Sequence, residues 1–228
     1  MTLSPAKTWQ GISMSVGGVG KIWLLVSILY GLFSLWYFNW SGPIAASEID
    51  YYMASFENAE GNEHTDAQTF RTFLEQDDGD EFVMLNLVQL HDGEVDHPVS
   101  GERAPASEVI GEYFGPFSLA LFKRGGHPVF QARTVGGNID SWNAEHHLGF
   151  STTAMMRYKS RRDLVELVLD PAFADGHIYK LAAIERTISY PTQVSFSAHL
   201  RPPIAVLLVL ILLGSIAQNV WTGSRPSH

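Results

Sequence analysis

Hydrophobic and polar positions divide the chain into two uncharged runs and a patterned region between them. Residues 22–40, IWLLVSILYGLFSLWYFNW, and 203–221, PIAVLLVLILLGSIAQNVW, are uncharged stretches of nineteen residues each. About twenty apolar residues cross a bilayer core as a helix. Trp36, Tyr37, Phe38 and Trp40 close the first run and Trp221 the second, as interfacial aromatics do. Between the runs the period alternates. Ile49, Tyr52, Met53 and Phe56 recur at i, i+3, i+4, i+7 and predict an amphipathic helix over 47–57, for a membrane surface or a domain face. Phe70, Phe73 and Leu74 predict a short helix over 66–76.

The segment FVMLNLVQL, 82–90, is apolar on both alternating faces and reads as a central strand covered on both sides. A loop follows. Ile110, Tyr113, Phe114, Phe117 and Leu121 mark a helix over 107–124, kinked at Pro116 and ended by Gly125–Gly126. Strands are expected at 127–135 and 148–158, joined by a hairpin connection. A helix should open at the S-x-x-D box of Ser160 and Asp163, run from Arg161 to near Asp170, and give way to a shorter helical piece from Pro171. The last strand, 182–190, is stopped by Pro191. The glycine-rich SVGGVGK at 15–21 precedes an apolar run rather than following a strand, so it reads as a flexible lead-in, not a phosphate loop.

The order β-α-β-β-α-β is the ferredoxin-like arrangement, an α+β fold with one antiparallel four-stranded sheet and both helices on one face. The expected organisation is a tail (1–21), a transmembrane helix (22–40), an amphipathic helix, linker and short helix (41–81), the ferredoxin-like domain (82–191), a linker (192–202), a second transmembrane helix (203–221) and a tail (222–228). The small residues of PIAAS, 43–47, suit cleavage of a signal peptide, but the long aromatic run before them suits a retained anchor better.

Charge refines this picture. All 24 acidic residues lie between the apolar runs, which argues against a nucleic-acid partner. Lys7, Lys21 and Arg225 flank the runs on their outer sides, so the positive-inside rule puts both tails in the cytoplasm. The domain is then extracytoplasmic, in the periplasm of a Gram-negative host. The chain has no cysteine, which excludes disulfides and thiol chemistry.

FVMLNLVQL, a helix with a Tyr and a terminal GG, and RYKSRRDL…DPAF…KLAAIERTISYP together resemble domain-of-unknown-function family 1330, of the dimeric α/β-barrel superfamily. The likeness covers roughly 66–191 and is densest in the R-Y-x-S-R-R-D-L run. It implies the ferredoxin-like fold and a dimer whose two sheets pack face to face. It implies no particular reaction, since the superfamily includes cofactor-independent monooxygenases, isomerases and haem enzymes. The flanking apolar runs depart from its soluble members.

In this topology the start of the first strand and the end of the fourth lie at one end of the sheet, from which both connections to the membrane leave. Lys123, Arg124, Arg157, Lys159, Arg161 and Arg162 gather there, near Asp77, Asp78, Asp80 and Glu81. Three accounts fit two arginines in a helix's first turn, where the macrodipole disfavours them. They pair with the acidic run, meet anionic headgroups or a partner, or hold a small anion at a helix N-terminus. The opposite end receives His91, Asp92, Asp96 and His97 from one loop and Asp140, Glu145, His146 and His147 from another. Of these, His91, His97, His146 and His147 are candidate metal ligands by composition, but their spacing matches no metal motif and a solvated polar end is the favoured reading.

Asn86, polar within a two-sided apolar strand, must be hydrogen-bonded. It is either a core amide satisfied by Thr152 or Thr153, or a polar anchor in a ligand cleft with Tyr113, Gln131 and Arg157. Gln131 and Arg133 are expected to share a strand face with His127. The leading reading is thus a double-anchored, dimeric accessory or interaction module, with no cofactor, whose partners are membrane lipid, a second copy and a membrane protein complex. The alternative is a small-molecule-binding protein or cofactor-independent enzyme, oxygenase- or isomerase-like, with a cleft between sheet and helices.

Overall fold

Ser160 has extended backbone and accepts a hydrogen bond from the Asp163 amide through Oγ, at 3.2 Å, so the helix it caps starts where the S-x-x-D box requires. The computed structural model describes residues 16–58, 64–143, 148–170 and 175–224. The elements in order are α1 (Val16–Tyr37), α2 (Ala46–Glu57), α3 (Ala67–Glu75), β1 (Phe82–Leu90), β2 (Glu94–Asp96), β3 (Arg103–Pro105), α4 (Ala106–Lys123), β4 (His127–Arg133), β5 (Thr152–Tyr158), α5 (Arg161–Val168), α6 (His177–Ala183), β6 (Ile184–Thr192) and α7 (Pro202–Gly223). The chain divides into two units, 1–34 with 198–228, and 35–197.

In the first unit, α1 and α7 are long and apolar enough to cross a membrane by length and composition. They run antiparallel. Trp23 Nε1 donates to Gln218 Oε1 at 2.9 Å, and Gly214 lies beside Val26, where an added Cβ would come within 3.1 Å of Cγ2. The glycine-rich lead-in is not a loop. Val16 to Lys21 form the first turns of α1, and the missing side chain of Gly18 leaves room for the Trp221 indole.

In the second unit a four-stranded antiparallel sheet has the order β4-β5-β1-β6. Phe82 faces Tyr158, and Met84 faces Met156, on the side that packs under α4 and α5 with Phe117, Leu121, Leu164 and Leu167. A second core joins Ile44, Ile49, Tyr52, Met53 and Phe56 to Leu74 and Val165, so α2 lies on α3 and α5, and its amphipathic face is spent inside the unit.

Four expectations about strands change. The loop after β1 contains a two-stranded ribbon, β2 with β3. Pro191 does not end the last strand. It pairs opposite Met84, and β6 continues to Thr192, which an edge strand permits because proline's missing N–H can face away from the ladder. The start of that strand moves to Ile184, because Ala182 and Ala183 complete α6. β1 is central, but beyond Val83 its residues are only half-buried. α4 and α5 cover one face of the sheet; on the other, among the described residues, the end carrying Val83 and Arg157 is covered by Tyr37 from the last turn of α1, and the rest is open.

Candidate functional site

Arg157 organises the end of the sheet where β1 begins. Its side chain is 3 % exposed. Nε donates to Glu81 Oε2 at 2.7 Å, Nη1 donates to the Gly125 carbonyl, and Nη2 donates to the Tyr37 carbonyl at 3.0 Å. The guanidinium lies 3.7 Å from the centre of the Tyr37 ring, which also packs against His127. A planar fork with five donors and a stacking face suits this three-way junction, and lysine would not. Tyr37 is itself 2 % exposed, so the last turn of α1, Leu35 to Tyr37, belongs to the fold of this unit.

Gly125 makes the approach possible. α4 ends in a Schellman motif, with Gly126 N–H donating to the Leu121 carbonyl and Gly125 N–H to that of Phe122, both at 3.0 Å. Gly125 has φ +78°, and a Cβ there would stand 2.3 Å from the Trp36 carbonyl oxygen. The Trp36 indole also donates to the Phe122 carbonyl at 3.0 Å.

The remaining basic residues sit at the same end, and most have internal partners. Arg161 lies between Asp77 and Asp78, at 3.5 and 3.9 Å, donates to the Phe73 carbonyl, and stacks on the Phe73 ring. Arg162 meets another partner. Its Nε and Nη2 bind Glu48 of α2 at 3.1 and 3.0 Å, and Nη1 reaches the Gly42 carbonyl at 3.2 Å. This contact holds the Glu48 carboxyl below its ordinary pKa, with the Ala45 N–H adding to the effect. The first-turn arginines are therefore offset by acidic side chains from α2 and from the segment before β1. Arg124 pairs with Asp170 at 2.9 Å and Lys159 with Asp163 at 3.2 Å, whereas Lys123 is exposed.

The four residues assigned to a ligand cleft are not brought together. Asn86 is a satisfied amide. Its Nδ2 donates to the Met84 and Ala154 carbonyls, and its Oδ1 accepts from Ser189 at 2.7 Å, rather than binding Thr152 or Thr153. Tyr113 packs on Phe117 in the helix-side core, where burial pushes its phenol well above the usual range. Arg157 points the other way, because its strand partners Val83 and His127 lie on the open face. Gln131 is exposed. A bulge between Pro128 and Phe130 reverses the alternation of β4, so Gln131 and Arg133 share the helix face while His127 takes the open one, against the simple period-2 expectation.

At the other end, His97 serves its own loop. Nδ1 accepts from the Val99 and Ser100 amides, and Nε2 bonds to Glu112 at 3.1 Å. His91 is exposed, and His146 and His147 lie outside the described residues. Among the described residues no three His, Asp or Glu side chains are placed to hold a metal ion.

Sequence reasoning missed Lys180 and His177, on one face of α6. Lys180 Nζ stands 5.8 Å from the centre of the Tyr113 ring, and the His177 imidazole is 6.1 Å from the same ring. Burial lowers the pKa of both, and for His177 the charge of Lys180 adds to the effect. Their i, i+3 spacing, within the helical piece expected from Pro171, was the available signal; the first residues of that piece, 171–174, lie outside the described residues.

The fold and these contacts define a class: an α+β domain with a four-stranded antiparallel sheet, in a chain that carries two potential membrane-spanning helices. No family model matches the chain, and the likeness to family 1330 stays a resemblance. No curated protein matches either. Among solved structures, the chain is similar to the methylated RPA0582 protein, with 24 % identity over 58 % of this chain and 93 % of that one and a TM-score of 0.47. It is also similar to RPA0582, a protein of unknown function from Rhodopseudomonas palustris, with 21 % identity over 59 % and 94 % of the two chains and a TM-score of 0.45.

Proposed function

We propose that the protein is a membrane-anchored, ferredoxin-like interaction module that pairs with a second copy through the open face of its sheet. The strand order β4-β5-β1-β6, with both crossover helices on one side, supports the ferredoxin-like reading. The observation that carries the function is the open face itself. Leu85, Leu87, Met155, Phe130, Ile188 and Tyr190 line it, with Phe130 43 % and Tyr190 53 % exposed. Such a continuous apolar surface marks an interaction site. A second copy of the same sheet fits it, because an isologous pair buries the patch on both partners at once.

Both tails are assigned to the cytoplasm and the domain to the outer side, on the lysines before α1 and Arg225 after α7. The anchor is retained on this reading: Tyr37 and Ile44 are core residues, and Arg162 holds the Gly42 and Pro43 carbonyls, so the segment around a cleavage site is part of the fold. Lipid around the two helices, and a membrane complex meeting the dimer, are the partners this arrangement serves. The small-molecule alternative has less support, since Phe117, Met156 and Tyr113 pack where a cleft between sheet and helices would open.

The test is the mass of the detergent-solubilised chain by light scattering. The expected result is a dimer that Leu87→Asp converts to a folded monomer. A wild-type monomer at micromolar concentration, or a dimer unaffected by Leu87→Asp, overturns the pairing.

A further inference from the structure

The C-terminal end of α4 is apolar where it faces outward. Leu119 and Phe122, one turn apart on the same face, are 57 % and 53 % exposed, while Leu121 beside them is buried in the core. Lys123, also exposed, follows them. The acidic side chains of the helix, Glu108 and Glu112, stand towards its other end. The position of this apolar end is set by the last turn of α1, the part of that helix that belongs to the same unit. The Trp36 ring packs on the Phe122 ring with centroids 4.8 Å apart, and the Trp36 indole donates to the Phe122 carbonyl at 3.0 Å. Leu35, next to it, is 65 % exposed.

The apolar stretch of α1, Gly17–Tyr37, has 21 residues. At about 1.5 Å per residue such a helix is about 31 Å long, against a hydrocarbon core of about 30 Å. It has no length to spare, so Leu35 to Tyr37 stand at the membrane boundary when the helix spans, and so does what packs on Trp36. The end of α4 also suits a place with little water, because its carbonyls are taken. Leu121 accepts from the Arg124 and Gly126 amides, Phe122 from the Gly125 amide and the Trp36 indole, and Gly125 from Arg157. From this geometry we infer that the end of α4 is a third membrane contact, seated in the headgroup layer with Leu119 and Phe122 toward the acyl chains and Lys123 among the phosphates. The partner is the lipid surface itself, met as an interfacial helix meets it, and the lysine favours anionic headgroups. This inference rests on α1 being a retained anchor, and goes beyond it by placing a face of the domain on the bilayer in addition to the two spans.

The chain has no cysteine, so single introduced cysteines carry a nitrobenzoxadiazole label without background. The experiment uses the full chain in vesicles of phosphatidylcholine and phosphatidylglycerol, with and without lipid bearing a nitroxide on its acyl chain. Val135, beyond the far end of β4 and 100 % exposed, is the reference. Label at Leu119→Cys should be quenched by the nitroxide lipid, and at least about threefold less by aqueous iodide than label at Val135→Cys. Ile28→Cys, within α1, reports the anchor separately. Nitroxide quenching at 28 but not at 119 leaves the anchor standing and overturns this inference alone; no quenching at 28 overturns both. Shielding from iodide at 119 without nitroxide quenching, lost in Leu87→Asp, assigns the face to a second copy and overturns the inference as well.

Discussion

Replacing Arg157 by leucine should remove the tie between Tyr37, the α4 terminus and β5 in one step. The charge lost is buried, but its partner Glu81 is 30 % exposed, so the ion pair is screened and contributes about 1–2 kcal/mol. The Gly125 and Tyr37 carbonyls are both buried and lose their donor, at about 1–3 kcal/mol each. The stacking on Tyr37, at 3.7 Å, adds about 1 kcal/mol. Leucine recovers part of this, because it has no charge to desolvate. The net expectation is a loss of about 3–5 kcal/mol, or a fall of roughly 10 °C in Tm for a domain of this size. Thermal unfolding of the detergent-solubilised chain, followed by tryptophan fluorescence, measures it. Arg157→Lys should recover less than half, since an ammonium cannot serve three directions and stack. A double-mutant cycle with Glu81→Gln should show coupling of about 1 kcal/mol or more. A loss below about 1 kcal/mol for Arg157→Leu would refute the claim that this junction holds the end of α1.

Four further outcomes test separate contacts. Gly125→Ala should cost about 1–3 kcal/mol from its positive φ and the Trp36 carbonyl, while Gly136→Ala, which has open space around it, should stay within about 0.5 kcal/mol by the same denaturation assay. The depressed Glu48 carboxyl adds stability above its unfolded value of 4.5, and this is lost as pH falls through the lower folded value; Glu48→Gln should flatten the stability curve there by about 0.5 kcal/mol, discounted for exposure. Charge reversal should be rescued pairwise, Arg161→Asp by Asp77→Lys and Arg162→Glu by Glu48→Lys, and the crossed pairs should not rescue. Gly214→Leu should separate α1 from α7, read as lost disulfide formation between cysteines introduced at 23 and 218.

Local pattern made several elements legible. The Ser160 box located α5, the i, i+3, i+4, i+7 series located α2, and the two-sided apolar run located β1. These signals lie within one or two turns of the residues they organise, so periodicity and capping chemistry suffice. Both apolar helices are likewise set by composition and length. The basic end was also visible, because strand direction alone brings those residues together.

The partners within that end were decided by tertiary structure. Arg157 binds residues 76 and 120 positions away, and Arg162 takes Glu48 rather than the nearer acidic run. No local period encodes which of several carboxylates a guanidinium will reach; α2 is carried to Arg162 because its apolar face packs on α3 and α5. The bulge in β4 moved His127 to the opposite face from Gln131, since one extra residue shifts every later side chain by half a period. Pro191 stops a central strand but not an edge one, and edge position is a property of the sheet. Sequence by itself determined the main helices and strands and the two apolar helices; only the packed structure decided the β2–β3 ribbon, that Asn86 is a satisfied amide, that Arg157 is a buried junction and that Lys180 lies over the Tyr113 ring, because each depends on neighbours that the chain brings together only when folded.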